Sequence, residues 1–334
     1  MKAYLVFVFK RFLQLIAVIF SGCSVAFVVA HLSPISPVDQ IIMKVAGQSS
    51  YSPEAIKSLR ATLTELFGLD VPLPVQYLHF LQHLVVMDFG PALIAFPTPA
   101  MHLVMLALPW TVGLLTVAAV LTWLLGNIAG GLAGYFQNSR LLKAFGIVAI
   151  GVQPIPYYIV AFLMVIIFGF LWPVLPISGG FAMNVREGWT IEFALSVLHY
   201  AILPAASLVI VGIGTWFLGM RALVSNIVTE DYITYAELAG VGQQRVVFSY
   251  VIRNALVPQL TALAMALGGI FSGTIITEQV FTYPGLGSLL VRAVNGGDSS
   301  LVLAVSCIAV IAVATAIFII DLVHPLVDPR VRVE

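Results

Sequence analysis

Charge is absent from six long stretches of this 334-residue chain: residues 12–38, 89–139, 144–185, 193–220, 254–277 and 299–320. A helix needs roughly 20 apolar residues to cross the hydrocarbon core of a bilayer, where each backbone polar group must be paired within the segment. Every stretch can hold such a helix, and spans are predicted near 10–32, 102–126, 143–171, 199–223, 255–280 and 299–323. The stretch 89–139 has room for two. Pro91, Pro97 and Pro99, however, make 91–99 a poor start for a helix in lipid, so one span is expected there and six in all.

The polar positions fit the same count. With the N-terminus in the cytoplasm, Lys2, Lys10, Arg11, Arg140, Lys143, Arg221, Arg245, Arg253, Arg330 and Arg332 fall inside, leaving Lys44, Lys57, Arg60, Arg186 and Arg292 outside. This is the bias of the positive-inside rule, and it puts both termini in the cytoplasm. Residues 33–100 then form a long outer loop, in which Ile56, Leu59, Leu63, Leu66 and Phe67 give 53–67 the spacing of an amphipathic helix. Residues 172–198 and 281–298 are shorter outer loops. The expected organisation is a first span with its long outer loop over 1–100, followed by a five-helix core over 101–334 with a cytoplasmic loop at 224–254.

Composition supports lipid as the main solvent, since 60% of residues are hydrophobic and only 9% charged. A water-soluble domain carries about a quarter charged residues. Net charge is zero, so nothing points to nucleic acid. Cys23 and Cys307 lie in separate apolar runs and read as packing residues rather than a disulfide or a metal pair. The first apolar run is too long for a signal-peptide core and reads as a retained anchor.

The most informative polar segment is the inner loop. Glu230 and Asp231 suit a helix start, where the dipole favours acids. Tyr232, Tyr235, Ala236 and Ala239 then fall on one face, and Gly240 ends the helix as a C-cap. Such a short helix along the membrane fits either an ordinary amphipathic connector or a contact for a cytosolic partner. The lysines, Lys2, Lys10, Lys44, Lys57 and Lys143, never follow a glycine, so the chain has no phosphate-binding Gly-Lys-Ser/Thr loop. Energy for active transport would have to come from another chain or an ion gradient.

Other candidates each carry two readings. Gln153-Pro154-Ile155-Pro156 interrupts the third span and fits a kink beside a translocation path or a packing kink. Glu278, near the outer end of the fifth span, fits a gate or a local partner for the turn at Pro284–Gly287, and Asp321 fits a helix-end partner. Gly126, Gly130, Gly131 and Gly134 suit close helix contact. His79 and His83 have a metal-compatible i, i+4 spacing, but their surroundings suit an interfacial amphipathic helix, and no third ligand is evident. No catalytic, cofactor or metal site is therefore expected. An ion-coupled carrier would need polar groups mid-membrane, and an intramembrane enzyme a nucleophile or metal cluster; neither set stands out.

Motifs along nearly the whole chain resemble the membrane subunits of the dipeptide/oligopeptide/nickel importers driven by ATP-binding cassettes. They include Arg11-Phe-Leu-Gln-Leu-Ile, the Pro-x-x-Pro-Val-Asp stretch at 34–39, Gly68-Leu-Asp-Val-Pro-Leu-Pro-Val-Gln-Tyr-Leu and Asp88-Phe-Gly. Leu175-Pro-Ile-Ser-Gly-Gly, Glu278-Gln-Val-Phe-Thr-Tyr-Pro-Gly-Leu-Gly and Asp328-Pro-Arg-Val-Arg continue the likeness. The inner loop is similar to the family's ATPase-coupling motif at Tyr232, Ala236, Gly240, Arg253, Asn254, Ala255, Leu256 and Pro258. It departs from it at Glu237 and Ala239, where relatives usually carry basic residues.

The resemblance implies an all-α permease of the type I importer fold, in a bacterial inner membrane, forming half of a pore. The long first loop suggests the first of two paralogous permeases. Implied partners are the second permease, two ATPase subunits that bind ATP and magnesium, and a periplasmic or lipid-anchored solute-binding protein. The solutes implied are peptides, with oligosaccharides, opine-like compounds or nickel as alternatives.

Overall fold

The computed structural model describes residues 2–32, 38, 42, 52–66, 70–268 and 275–327, and the described residues are helices and connecting loops with no β-strand. The helices are α1 (Lys2–His31), α2 (Pro53–Leu66), α3 (Leu73–Val85), α4 (Ala100–Tyr135), α5 (Arg140–Val152) and α6 (Tyr157–Val165). They continue as α7 (Ile191–Ile227), α8 (Asp231–Leu238), α9 (Arg253–Gly268), α10 (Ile275–Val280), α11 (Leu286–Asn295) and α12 (Ser299–Val327). Phe67, the stretch 34–37, Asp39, the start of the motif at Gly68 and the C-terminal Asp328-Pro-Arg-Val-Arg lie outside the described residues.

Among the described residues, five helical stretches are long and apolar enough to cross a membrane: Tyr4–His31, Ala100–Tyr135, Ile191–Ile227, Gln243–Leu267 and Ser299–Leu322. The third expected span is not one rod. It turns by 104° between Arg140–Val152 and Tyr157–Leu171. Pro154 and Pro156 have no N–H to continue the ladder. The Ile155 N–H turns back to the Val152 carbonyl at 2.9 Å, and Pro156, in an extended conformation, starts α6. Counted as one broken span, the pair brings the total to six.

The helices also outrun the expected spans. At 36 and 37 residues, α4 and α7 are about 54 Å long at 1.5 Å per residue, well beyond a hydrocarbon core of about 30 Å. Charges mark where lipid ends, not where backbone pairing ends. For α7 the start is set by the Thr190 side chain, which accepts the Phe193 N–H at 3.2 Å.

The chain forms two compact units that cut across the expected division at residue 100. One comprises Val8–Thr111 and Pro284–Thr315; the other comprises Met1–Phe7, Val112–Tyr283 and Ala316–Glu334. Residues 284–315 thus join the first span and outer loop instead of the five-helix core, because α12 packs against α1 and α3. In that unit Cys23 and Phe27 of α1, Phe80 of α3 and Cys307 of α12 form one buried cluster. The Ser24 hydroxyl meets the Tyr77 hydroxyl at 2.6 Å. Both cysteines are free thiols in mutual contact, although they come from runs far apart in sequence. The outward side of α1 exposes Leu13, Ile16, Phe20 and Val25, as a lipid-facing helix should.

The same unit contains α2, whose Ile56 and Leu59 pack against the buried Val38 and Ile42. It also contains the buried carboxylate of Asp298, which accepts the Leu301 N–H at the start of α12 and the Ile94 N–H, both at 3.0 Å. The other unit is built around α7, which packs on α5, α6 and α9. Glycines let α4 approach α7. A Cβ at Gly126 would lie 2.5 Å from the Trp216 Cβ, one at Gly134 2.7 Å from the Val224 side chain, and one at Gly130 inside the Phe217 backbone.

Two outcomes test this packing. Mild oxidation in membranes should join Cys23 to Cys307, giving a shifted band on a non-reducing gel that Cys307→Ser abolishes. Gly130→Ala should destabilise the α4–α7 contact by about 1–3 kcal/mol, read as a lower melting temperature in detergent. Gly113→Ala, where a Cβ meets nothing within 4 Å, should melt like the parent.

Candidate coupling surface

The segment after α7 is short, well ordered by hydrogen bonds and built on a buried floor. Ile233 and Ala236 of α8 are buried with Met220 and Val224 of α7, Val246 and Val251 of the π-helical stretch Val246–Ile252, and Ala255 of α9. Burial of this apolar face, at roughly 25 cal/mol per Å², holds α8 against the ends of the spans. An eight-residue helix would not persist alone in water.

The face expected from sequence splits in two. Tyr232, Tyr235 and Ala239 are exposed, with Tyr235 at 71% and Leu238 at 80%, whereas Ala236 points down into the core. The reason is Ile233. Its larger apolar side chain takes the floor, and Ala236, three residues on, follows it. Glu237 is exposed on the side of α8, and its carboxylate accepts the Tyr135 hydroxyl at 3.2 Å.

Gly240 closes the helix. It has φ +76°, its N–H reaches the Glu237 carbonyl at 3.0 Å, and the Val241 N–H reaches the Ala236 carbonyl at 3.1 Å. This is the paired 5→2 and 6→1 pattern of a Schellman cap, with Val241 returning to the apolar core. From there the chain makes one turn, Gln243–Arg245, and passes through the π-helix Val246–Ile252 into α9. The Asn254 amide donates to the Tyr232 hydroxyl at 3.1 Å and to the Tyr250 carbonyl at 2.7 Å. Beside α8 lies an open cavity of ≈ 670 Å³ lined by Tyr135, Gln137, Asn138, Ser139, Val228 and Gln243, among others.

The remaining candidates lie apart from this surface. Gln153 is half-buried at the α5–α6 break, and its amide donates to the Thr215 hydroxyl of α7 at 3.2 Å, while Pro154 and Pro156 are exposed at the bend. Gly214 of α7 is buried hard against the Ala149 carbonyl and Gln153, so the break doubles as a tight helix contact. Glu278 is 1% exposed on α10, and its backbone carbonyl accepts the Tyr283 N–H at 2.8 Å. Burial and the neighbouring Glu278 carboxylate push the Tyr283 phenol up to about 12. On α3, His83 sits 3.6 Å from Asp88.

Sequence reasoning missed Tyr135 and Gln243 as members of the surface. Tyr135 lies 102 residues from Glu237 at the end of another span, and no periodicity joins them. Asn254 could be found through the motif but not its bond to Tyr232.

Five apolar helical stretches long enough to cross a membrane, or six with the broken pair, make this an all-α integral membrane protein over the described residues. The chain belongs to the family of binding-protein-dependent transport system inner membrane components, which it matches over residues 126–333. The matched region contains α8, the α5–α6 break and Glu278. These are the permease subunits of importers driven by ATP-binding cassettes.

Similarity to individual proteins extends over the whole chain. The oligopeptide transport system permease protein OppB of Haemophilus influenzae is 30% identical over 331 residues, 98% of this chain and 99% of that protein. The oligopeptide permease protein AppB of Bacillus subtilis is 26% identical over 333 residues, 99% of this chain and 100% of its own length. The dipeptide permease protein DppB of Lactococcus lactis is 25% identical over 326 residues, 98% of this chain and 99% of its own.

The cap yields a prediction. Replacing Gly240 by Val should cost about 1–2 kcal/mol, because a side chain strains the left-handed conformation. A Cβ there meets nothing within 4 Å, so Gly240→Asn should lose less. Protease nicking of the 230–245 loop in the purified protein in detergent, faster for Val than for Asn, is the measurement.

Proposed function

We propose that this chain forms half of the translocation pore of a bacterial inner-membrane peptide importer, with α8 as the contact for a separate ATPase subunit. The observation that carries the reading is end-to-end similarity to three permeases named for peptide transport, together with an exposed Tyr232, Tyr235 and Leu238 surface seated on the ends of the spans. The chain has no Gly-Lys-Ser/Thr loop, and in this reading the energy of ATP comes from two partner ATPases, which hold the implied ATP and magnesium sites. A second permease completes the pore, and a solute-binding protein delivers peptide from outside. The N- and C-termini face the cytoplasm, following the lysine and arginine bias.

In this mechanism, closure of the two ATPases on ATP moves α8, and α8 moves the spans that carry its floor. The π-helical stretch Val246–Ile252 and the break at Gln153–Pro156 give the membrane helices places to bend without leaving a whole rod unpaired. Thr215 and Gln153 offer polar groups beside that break, which suits a path for a peptide backbone.

The test is reconstitution. The purified chain alone should hydrolyse no ATP, and the complex with its ATPases and second permease should take up labelled alanine peptides only with binding protein and ATP present. A cysteine at Tyr235 should react with a membrane-impermeant maleimide in inside-out vesicles and not in intact spheroplasts. Labelling from the outside would overturn the orientation and the coupling role together.

A further inference from the structure

The short helix α8 is tied to its own chain at two places, and each tie leads to a different span. At its start the Tyr232 hydroxyl accepts from Asn254, whose amide also holds the Tyr250 carbonyl, so this tie ends at the junction of the π-helix and α9. Near its end the Glu237 carboxylate accepts from Tyr135, the last residue of α4. Tyr135 and Gln243, in the turn that follows the Gly240 cap, line the same open cavity.

The apolar floor under Ile233 and Ala236 resists lifting but does little against sliding or rotation, because burial is non-directional. Hydrogen bonds are directional. One tie would leave α8 free to swivel about Tyr232; two ties, five residues apart, fix its azimuth.

We infer that Tyr135 is a positioning residue, and that its hydrogen bond to Glu237 makes α8 and the second membrane span move as one piece. Glu237 therefore serves its own chain rather than the ATPase groove. This rests on the importer reading above. A push on the exposed Tyr235 and Leu238 reaches α9 through Asn254 and α4 through Tyr135. Without the second tie, α8 swivels and part of each ATP cycle is spent without moving α4.

The experiment uses the complete importer in nanodiscs, with spin labels at the exposed Thr234→Cys on α8 and at Leu125→Cys on α4. In the otherwise native complex the distance between labels should stay the same in the nucleotide-free and vanadate-trapped states. In Tyr135→Phe it should broaden and shift on trapping. In proteoliposomes, ATP consumed per labelled alanine peptide imported should rise roughly 2- to 10-fold, the range set by loss of one hydrogen bond. Glu237→Ala should match Tyr135→Phe, the double variant should be no worse than either, and Glu237→Gln, which keeps an acceptor oxygen, should restore most of the loss. Co-purification of all subunits checks assembly for each variant.

Unchanged distances and stoichiometry in Tyr135→Phe would overturn the tie while leaving the importer reading standing. A native complex that hydrolyses no ATP would instead sink the importer reading, and the tie with it. If ATP is hydrolysed but alanine peptides are not imported, the substrate assignment fails and the label distances still decide the tie.

Discussion

The whole segment that follows α7 depends on one apolar seat, the burial of Ile233 and Ala236 on Met220, Val224, Val246, Val251 and Ala255. Without that seat, eight residues of helix could not hold a fixed place, and the hydrogen bonds of Tyr232 and Glu237 would have nothing rigid to orient. With it, the last turns of α7, the π-helical stretch and the first turn of α9 become a single platform. The side chains left over, Tyr235 and Leu238, are large, apolar and exposed where the chain leaves the membrane helices.

The same logic governs the spans. Water is absent from the hydrocarbon core, so the backbone must pair with itself or be shielded wherever it cannot. Two prolines at 154 and 156 break that rule, and the chain answers with a 104° turn, a hydrogen bond from Gln153 to Thr215 and a close contact at Gly214. Glycines on α4 meet α7 at distances that admit no Cβ, which brings the backbones of two long helices together without polar glue. In the other unit a buried carboxylate, Asp298, satisfies two backbone donors, and a thiol pair joins α1 to α12. A buried polar side chain is tolerated there because its oxygens accept hydrogen bonds.

Much of this was legible in one dimension. Runs without charge gave the number of crossing segments, since the cost of a charge in lipid is paid residue by residue and needs no fold to be counted. Gly240 announced a helix end because only a residue without a Cβ enters the left-handed region cheaply. That no lysine follows a glycine was plain from the chain itself, and the scattered motifs pointed to the family.

Tertiary structure decided what no local pattern encodes. Helical spacing put Ala236 with Tyr232 and Tyr235, yet packing turned it inward with Ile233, because the floor beneath α8 is assembled from three other segments. The third span became two rods, and residues 284–315 joined the first span, because proline geometry and long-range burial set direction while hydropathy sets only length. Tyr135 and Glu237 meet across 102 residues. A hydrogen bond between side chains depends on where two backbones end up in space, and sequence spacing carries that information only within a turn or two of helix.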